Sequence, residues 1–263
     1  MLMSLTTINY TNNNHSVSNE LLAGHTIIHQ FDAGGLCTCI PVTDSTELEN
    51  APRIELNKNV SSFVTAYIKK NGFFLGKTSR SNAAHFKLMD AVFEKNAMPV
   101  ELKYLAFIES GLQRNAGAWA GAVGPWSLMP VAAKEYGLKI TGHKDERLDY
   151  TKSTKAAAAL LSDLYDKYGD WLLVIAAYNC GPGGIDKAIK KSGSRHYWAL
   201  QNFLPEETRK HVKKFIAVHY YFEGHGSIAT LTKAETDNHI KAVEAFAAQQ
   251  TATQDSVQVE VMR

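Results

Sequence analysis

A carboxylate on the apolar side of a helix is the first feature of this sequence that could do chemistry. In Pro99-Val-Glu-Leu-Lys-Tyr-Leu-Ala-Phe-Ile-Glu-Ser-Gly-Leu112, the proline suits a first helical position, where its missing N–H is no loss, and Glu101 puts negative charge on the first turn. With a period of 3.6, Leu102, Leu105 and Leu112 form one apolar stripe, and Glu109 falls on it, four residues after Leu105 and three before Leu112. Desolvation of an unpaired carboxylate favours its protonated form, which makes a proton donor near neutral pH. Ser110 and Gly111 are expected to break the helix there and leave the carboxylate at the mouth of a groove. The residues alone leave open a Glu paired with a Lys or Arg in the core, or one whose head reaches water.

Two further stretches carry groups that could hold a polar ligand. Asn115 to Pro130 is a run of small residues set with Trp119 and Trp126. Gly117, Gly121 and Gly124 permit close approach there, while Trp126 and Met129 offer flat or soft apolar surface. Such a run can wall a sugar-binding cleft, or its tryptophans can plug a core. Tyr178 and Asn179 end another helical pattern, where a phenol and an amide can direct hydrogen bonds or simply cap the helix. Cys180 beside them reads as a packed small side chain, since no His is placed by sequence to activate it. Gly137 and Gly142 have P-loop spacing, but His143 stands where Lys is needed and no strand precedes, which excludes a nucleotide site.

The elements that position these groups are helical. One helix is expected from Pro52 to Asn71-Gly72 with Val60, Phe63, Val64, Tyr67 and Ile68 inward, and a second over 81–95 with Leu88, Met89, Val92 and Phe93. Pro130 starts a short helix stopped by Gly137. Asp149 or Thr151 caps a helix that ends at Gly169, and Asp170 caps the next, which carries Trp171, Leu172, Ile175 and Ala176. Leu204-Pro-Glu-Glu-Thr-Arg209 begins the last strong helix, with Val212, Phe215 and Ile216 inward. Residues 1–50 lack a lasting period and read as a loosely ordered arm; 51–223 form the patterned domain; 224–263 read as a tail with one short amphipathic helix. The fold class expected is all-α, built of many short to medium helices.

Composition narrows the function classes. A hydrophobic content of 45% over 263 residues supports one sizeable core, and a net charge of +2 without a dense Lys/Arg block argues against nucleic acid. Three cysteines do not make a disulfide scaffold, and Cys37 and Cys39 lack further ligands at zinc spacing. No apolar run approaches the roughly 20 residues of a transmembrane helix, and the first ten residues lack the basic opening of a signal peptide.

Taken together, Glu109-Ser110, Gly124-Pro-Trp-Ser-Leu-Met-Pro130, Ala177-Tyr-Asn-Cys-Gly-Pro-Gly183 and Glu207-Thr-Arg209 occur in the order and spacing of one family. The chain resembles the soluble-lytic-transglycosylase (SLT) domains of glycoside hydrolase family 23, most of all those of the membrane-bound lytic murein transglycosylase D type. The resemblance runs from about Pro52 to Tyr221. It implies a lysozyme-like α fold with one catalytic carboxylate, Glu109, acting on peptidoglycan glycan strands with neither metal nor cofactor. Lysozyme-type retaining hydrolysis uses two carboxylates about 5 Å apart, whereas this family has no obligatory second one. Glu109 would protonate the oxygen linking N-acetylmuramic acid to N-acetylglucosamine. It would then deprotonate the muramoyl 6-hydroxyl, which closes a 1,6-anhydro ring.

The same resemblance implies that Ser110, Trp126, Met129, Tyr178 and Asn179 contact substrate. The chain departs from the family at Ser127, where Gln is usual, and at His211, where an aromatic Tyr is usual. Both positions concern substrate hydrogen bonding, and they keep open a peptidoglycan-binding protein that cleaves poorly. A hydrolytic muramidase would need a second acid to hold water, for which Asp145, Glu146 and Asp149 are the candidates. The implied substrate lies outside the cytoplasmic membrane, so a bacterial cell-envelope or periplasmic location is expected despite the unrecognised signal. The oligomeric state is not legible.

Overall fold

The computed structural model describes residues 19–22, 25–31, 37–42, 51–115 and 121–261. Gly117 and Trp119, singled out above, lie outside the described residues. By compactness the chain divides into one unit over 55–233 and a second comprising 1–54 and 234–263.

In the first unit, helices α1 (Ser61–Ser81), α2 (Ala83–Lys95), α3 (Lys103–Ser110), α4 (Pro130–Glu135), α5 (Tyr150–Tyr168), α6 (Trp171–Cys180), α7 (Pro182–Ser192), α8 (Tyr197–Leu200) and α9 (Glu206–Glu223) follow one another, with short 3-10 turns between some of them. The all-α expectation holds here, and α6 is its axis. Every residue from Trp171 to Ala177 is buried, as a helix apolar on all sides must be. It packs against α5, α7 and α9, and α9 in turn packs against α1 and α3. Caps set the register: the Asp149 carboxylate accepts from Lys152 N at 2.9 Å and that of Asp170 accepts from Leu173 N at 3.1 Å.

Three expectations are corrected. Helix α1 begins at Ser61 rather than Pro52, and it runs straight through Asn71-Gly72. Gly72 is not a stop, and the close packing against α9 falls one turn later, at Gly76. The Tyr221 hydroxyl of α9 donates to the Gly72 carbonyl at 2.8 Å, and a Cβ on Gly76 would stand 2.8 Å from that same hydroxyl. The compact unit also continues past 223, because Lys233 N donates to the Asp170 carboxylate at 2.8 Å and Ala229 is fully buried.

In the second unit, residues 19–42 contain three antiparallel strands in the order β1 (Asn19–Leu22), β2 (His25–Phe31) and β3 (Cys37–Val42), where a loosely ordered arm was expected. The β-branched Thr26, Ile27 and Ile28 favour the central strand. Pro41, opposite Ile27, is tolerated because β3 is an edge. Helix α10 (Lys233–Val261) is far longer than the short tail helix expected. Among the described residues no helix is long and apolar enough to cross a membrane.

The end of α9 carries a titratable group that links stability to pH. His219 is fully buried; its Nε2 lies 2.8 Å from Ser227 Oγ, and its Nδ1 has no partner. Burial, reinforced by the nearby His225, pushes its pKa down to about 3. The unfolded chain takes up this proton below about 6.5 while the folded chain holds the ring neutral. Stability is therefore expected to fall as pH drops from about 6.5 toward 3, with this group contributing up to about 1.4 kcal/mol per pH unit. Denaturant titrations across that range should show the slope, and His219→Gln should flatten it; an equal slope in the variant would assign it elsewhere.

Candidate active site

Helix α3 delivers Glu109 where the sequence placed it. Leu102, Leu105 and Leu112 are at most 1% exposed, while Glu109 on the same stripe is only partly buried. Gly111 terminates the helix in the left-handed conformation at φ 62°, its N–H donating to the Phe107 carbonyl at 2.8 Å. The carboxylate is not the lone buried acid expected. His211 Nε2, from α9, lies 2.8 Å from Glu109 Oε1, with the two side chains 9% and 17% exposed. His211 Nδ1 is buried without a partner, and Glu109 Oε2 has none among the described residues.

A tight turn closes the next wall. Val123 and Leu128 form an isolated antiparallel bridge, with Gly124 at φ 85° and Ser127 at φ 46° between them. Ser110 Oγ on α3 donates to the Pro125 carbonyl at 2.8 Å, and Ser127 Oγ sits 3.5 Å from the Glu109 carbonyl. The Tyr178 hydroxyl on α6 donates to the Trp126 carbonyl at 2.6 Å, and Asn179 Oδ1 accepts from the Thr208 hydroxyl at 2.8 Å. Burial, and secondarily the Glu109 charge, hold the Tyr178 phenol well above its usual pKa, so it stays a neutral donor. The ends of α3, α6 and the start of α9 thus meet across one turn.

Trp126 is a correction. It is fully buried, its Nε1 donating to Thr154 Oγ1 at 2.9 Å and its ring set edge-on to Phe93 at 5.8 Å, so it offers the ligand no face. Only its carbonyl takes part in the site. Met129, 43% exposed at the start of α4, remains accessible.

Arg147 is a residue that sequence reasoning missed. Its buried guanidinium donates to the carbonyls of Gly121 and Leu128 at 2.7 and 2.9 Å and pairs with Asp145 at 2.6 Å, so it clamps both ends of the turn. Its own carbonyl would stand 2.2 Å from a Cβ on Gly124. Gly124→Ala is therefore expected to destabilise the protein by about 2 kcal/mol, a fall of several degrees in thermal midpoint. An unchanged midpoint would show that the turn relaxes freely.

The three acids proposed for a hydrolytic mechanism are all committed elsewhere. Hydrogen bonds from Arg147 hold the Asp145 carboxyl below its usual range. Glu146 is bonded first to Lys152 at 2.5 Å, then to Lys139 N at 2.9 Å and to Lys144, which lowers it to about 2. Asp149 caps α5. Among the described residues no group of three or more His, Cys, Asp or Glu is placed to hold a metal ion. Cys180 is half-buried, and burial pushes its thiol up, away from the reactive thiolate.

Residues 90–201 match the Transglycosylase SLT domain. The matched segment holds Glu109, the Gly124 turn and Tyr178-Asn179, and it ends before Thr208 and His211. Over 157 residues the chain is 36% identical to membrane-bound lytic murein transglycosylase D of Escherichia coli (strain K12), covering 58% of this chain and 34% of the relative. The chain thus spans about a third of the length of that curated relative. A solved complex of the 70-kDa soluble lytic transglycosylase with bulgecin A superposes with a TM-score of 0.51 at 19% identity, over 65% of this chain and 32% of that one. At that identity the likeness concerns the fold, which is the lysozyme-like helical fold of the SLT domain.

Proposed function

We propose that this protein is a peptidoglycan lytic transglycosylase that cleaves the β-1,4 bond from N-acetylmuramic acid to N-acetylglucosamine and leaves a 1,6-anhydro muramoyl end. The observation that carries this reading is the Glu109 carboxyl at the end of a buried helix, held at one oxygen by His211 and, among the described residues, without a partner at the other. Glu109 Oε2 in its acid form protonates the glycosidic oxygen, and the bond to the anomeric carbon breaks. The muramoyl acetamido group stabilises the positive carbon. The same carboxyl, now ionised, takes the proton of the muramoyl 6-hydroxyl, whose oxygen bonds to the anomeric carbon and restores the acid. Proton and bond inventories balance without water. Tyr178 and Asn179 line the reacting sugar and Met129 packs on it, while Ser110 and Ser127 support the turn.

A lysozyme-like hydrolysis would call for a second carboxyl across the cleft, and the engagement of Asp145, Glu146 and Asp149 counts against it. The substrate sets the workplace in a bacterial cell envelope. Mass spectrometry of soluble products from purified peptidoglycan tests the proposal: anhydro-muropeptides are expected. Reducing ends would make it a hydrolase, and co-sedimentation without release would make it a binding protein.

A further inference from the structure

Helix α1 contains Lys69, Lys70, Lys77 and Arg80 and no acidic residue. Its inner side is fixed by the buried Val64 and Leu75 and by the close approach of Tyr221 to Gly72 and Gly76. Its outer side presents Phe73 at 86% and Phe74 at 56% exposure, two adjacent rings standing in water. Helical spacing puts Phe73 four residues from both Lys69 and Lys77, and Phe74 four from Lys70 and three from Lys77, so the rings lie within a frame of cations. All four cations are exposed, and none makes an ion pair among the described residues.

We propose that this face of α1 docks on a lipid surface bearing anionic headgroups, with the Phe73 and Phe74 rings entering the boundary below the headgroups and the four cations lying over their phosphates. Charge and shape select this occupant. A second copy of the chain would bring four cations against four, which like-charge repulsion opposes. A sugar stacks best in a walled cleft, whereas these rings stand 86% and 56% exposed on an outer helix face, as an interfacial helix offers its apolar residues to a bilayer plane. Long basic side chains beside aromatic rings keep their charges in the headgroup layer while their stems cover apolar surface.

Flotation of the full chain with vesicles of phosphatidylethanolamine and phosphatidylglycerol tests this, with phosphatidylcholine vesicles as comparison. Binding to the anionic vesicles alone is expected, to weaken with added salt and to fall about tenfold or more in the Phe73→Ser, Phe74→Ser double variant. That variant should keep the parent's helix content and its cleavage of isolated peptidoglycan, because neither ring is part of the core or the cleft. The proposal is overturned by equal retention on both vesicles, by parental binding of the variant, or by no retention at all. It is equally overturned if the substitutions change only the oligomeric state or the binding to isolated cell wall.

Discussion

Glu109→Gln is expected to lower the rate of anhydro-muropeptide release by about 10²–10⁴-fold, the range for loss of a positioned general acid and base. The amide matches the carboxyl in size and still accepts at one atom, so the contact with His211 Nε2 persists and α3 keeps its packing. What disappears is the ability to give a proton to the glycosidic oxygen and to take one from the 6-hydroxyl. Initial rates read by chromatography of soluble products, with thermal midpoints to establish that both proteins are folded, make the measurement. If the Gln variant released product at the parental rate, Glu109 would not be the acid, and the transglycosylase reading would fall with it.

How much of this site was legible depends on whether its signal was local. Glu109 could be found because a carboxylate on the stripe of Leu102, Leu105 and Leu112 breaks a 3.6 periodicity, and because Ser110-Gly111 stops the helix at that point. The caps at Asp149 and Asp170 are local in the same way. The partner of Glu109 was not local: His211 is 102 residues away, and only the packing of α9 against α3 brings them together. Sequence marked His211 as a departure in a substrate contact, whereas the structure gives it to the carboxyl itself.

Residue type also misled where orientation decides. Trp126 has the surface a sugar would use, but the turn set by Gly124 and Ser127 points the ring into the core, toward Thr154 and Phe93. Gly72 resembles a stop because glycine weakens a helix interior by up to about 1 kcal/mol, yet the helix continues through it and packs against Tyr221, which approaches most closely at Gly76. Arg147 had no pattern around it at all. Its role lies in donating to backbone carbonyls of a turn some twenty residues earlier, which no spacing rule exposes. The strands of 19–42 lacked clean alternation, since Pro41 and the polar His25, His29 and Gln30 interrupt it.

His211 should control the rate through the position of the Glu109 carboxyl. In the neutral ring with the proton on Nε2, the 2.8 Å contact donates to Glu109 Oε1, which leaves Oε2 for the proton transfer proposed above. Among the described residues Nδ1 has no partner, so the contact with Glu109 is the hydrogen bond that orients the ring. His211→Phe removes the donor and frees the carboxyl to turn, and a misplacement of about 1 Å is enough to cost roughly 10²-fold in rate. His211→Tyr, the residue usual at this place in the resembled family, supplies a hydroxyl donor and is expected to restore most of that loss. Initial rates of product release from the two variants distinguish this from a packing role: a merely structural His211 would leave the Tyr variant no faster than the Phe variant, and full activity in the Phe variant would show that the pairing is incidental.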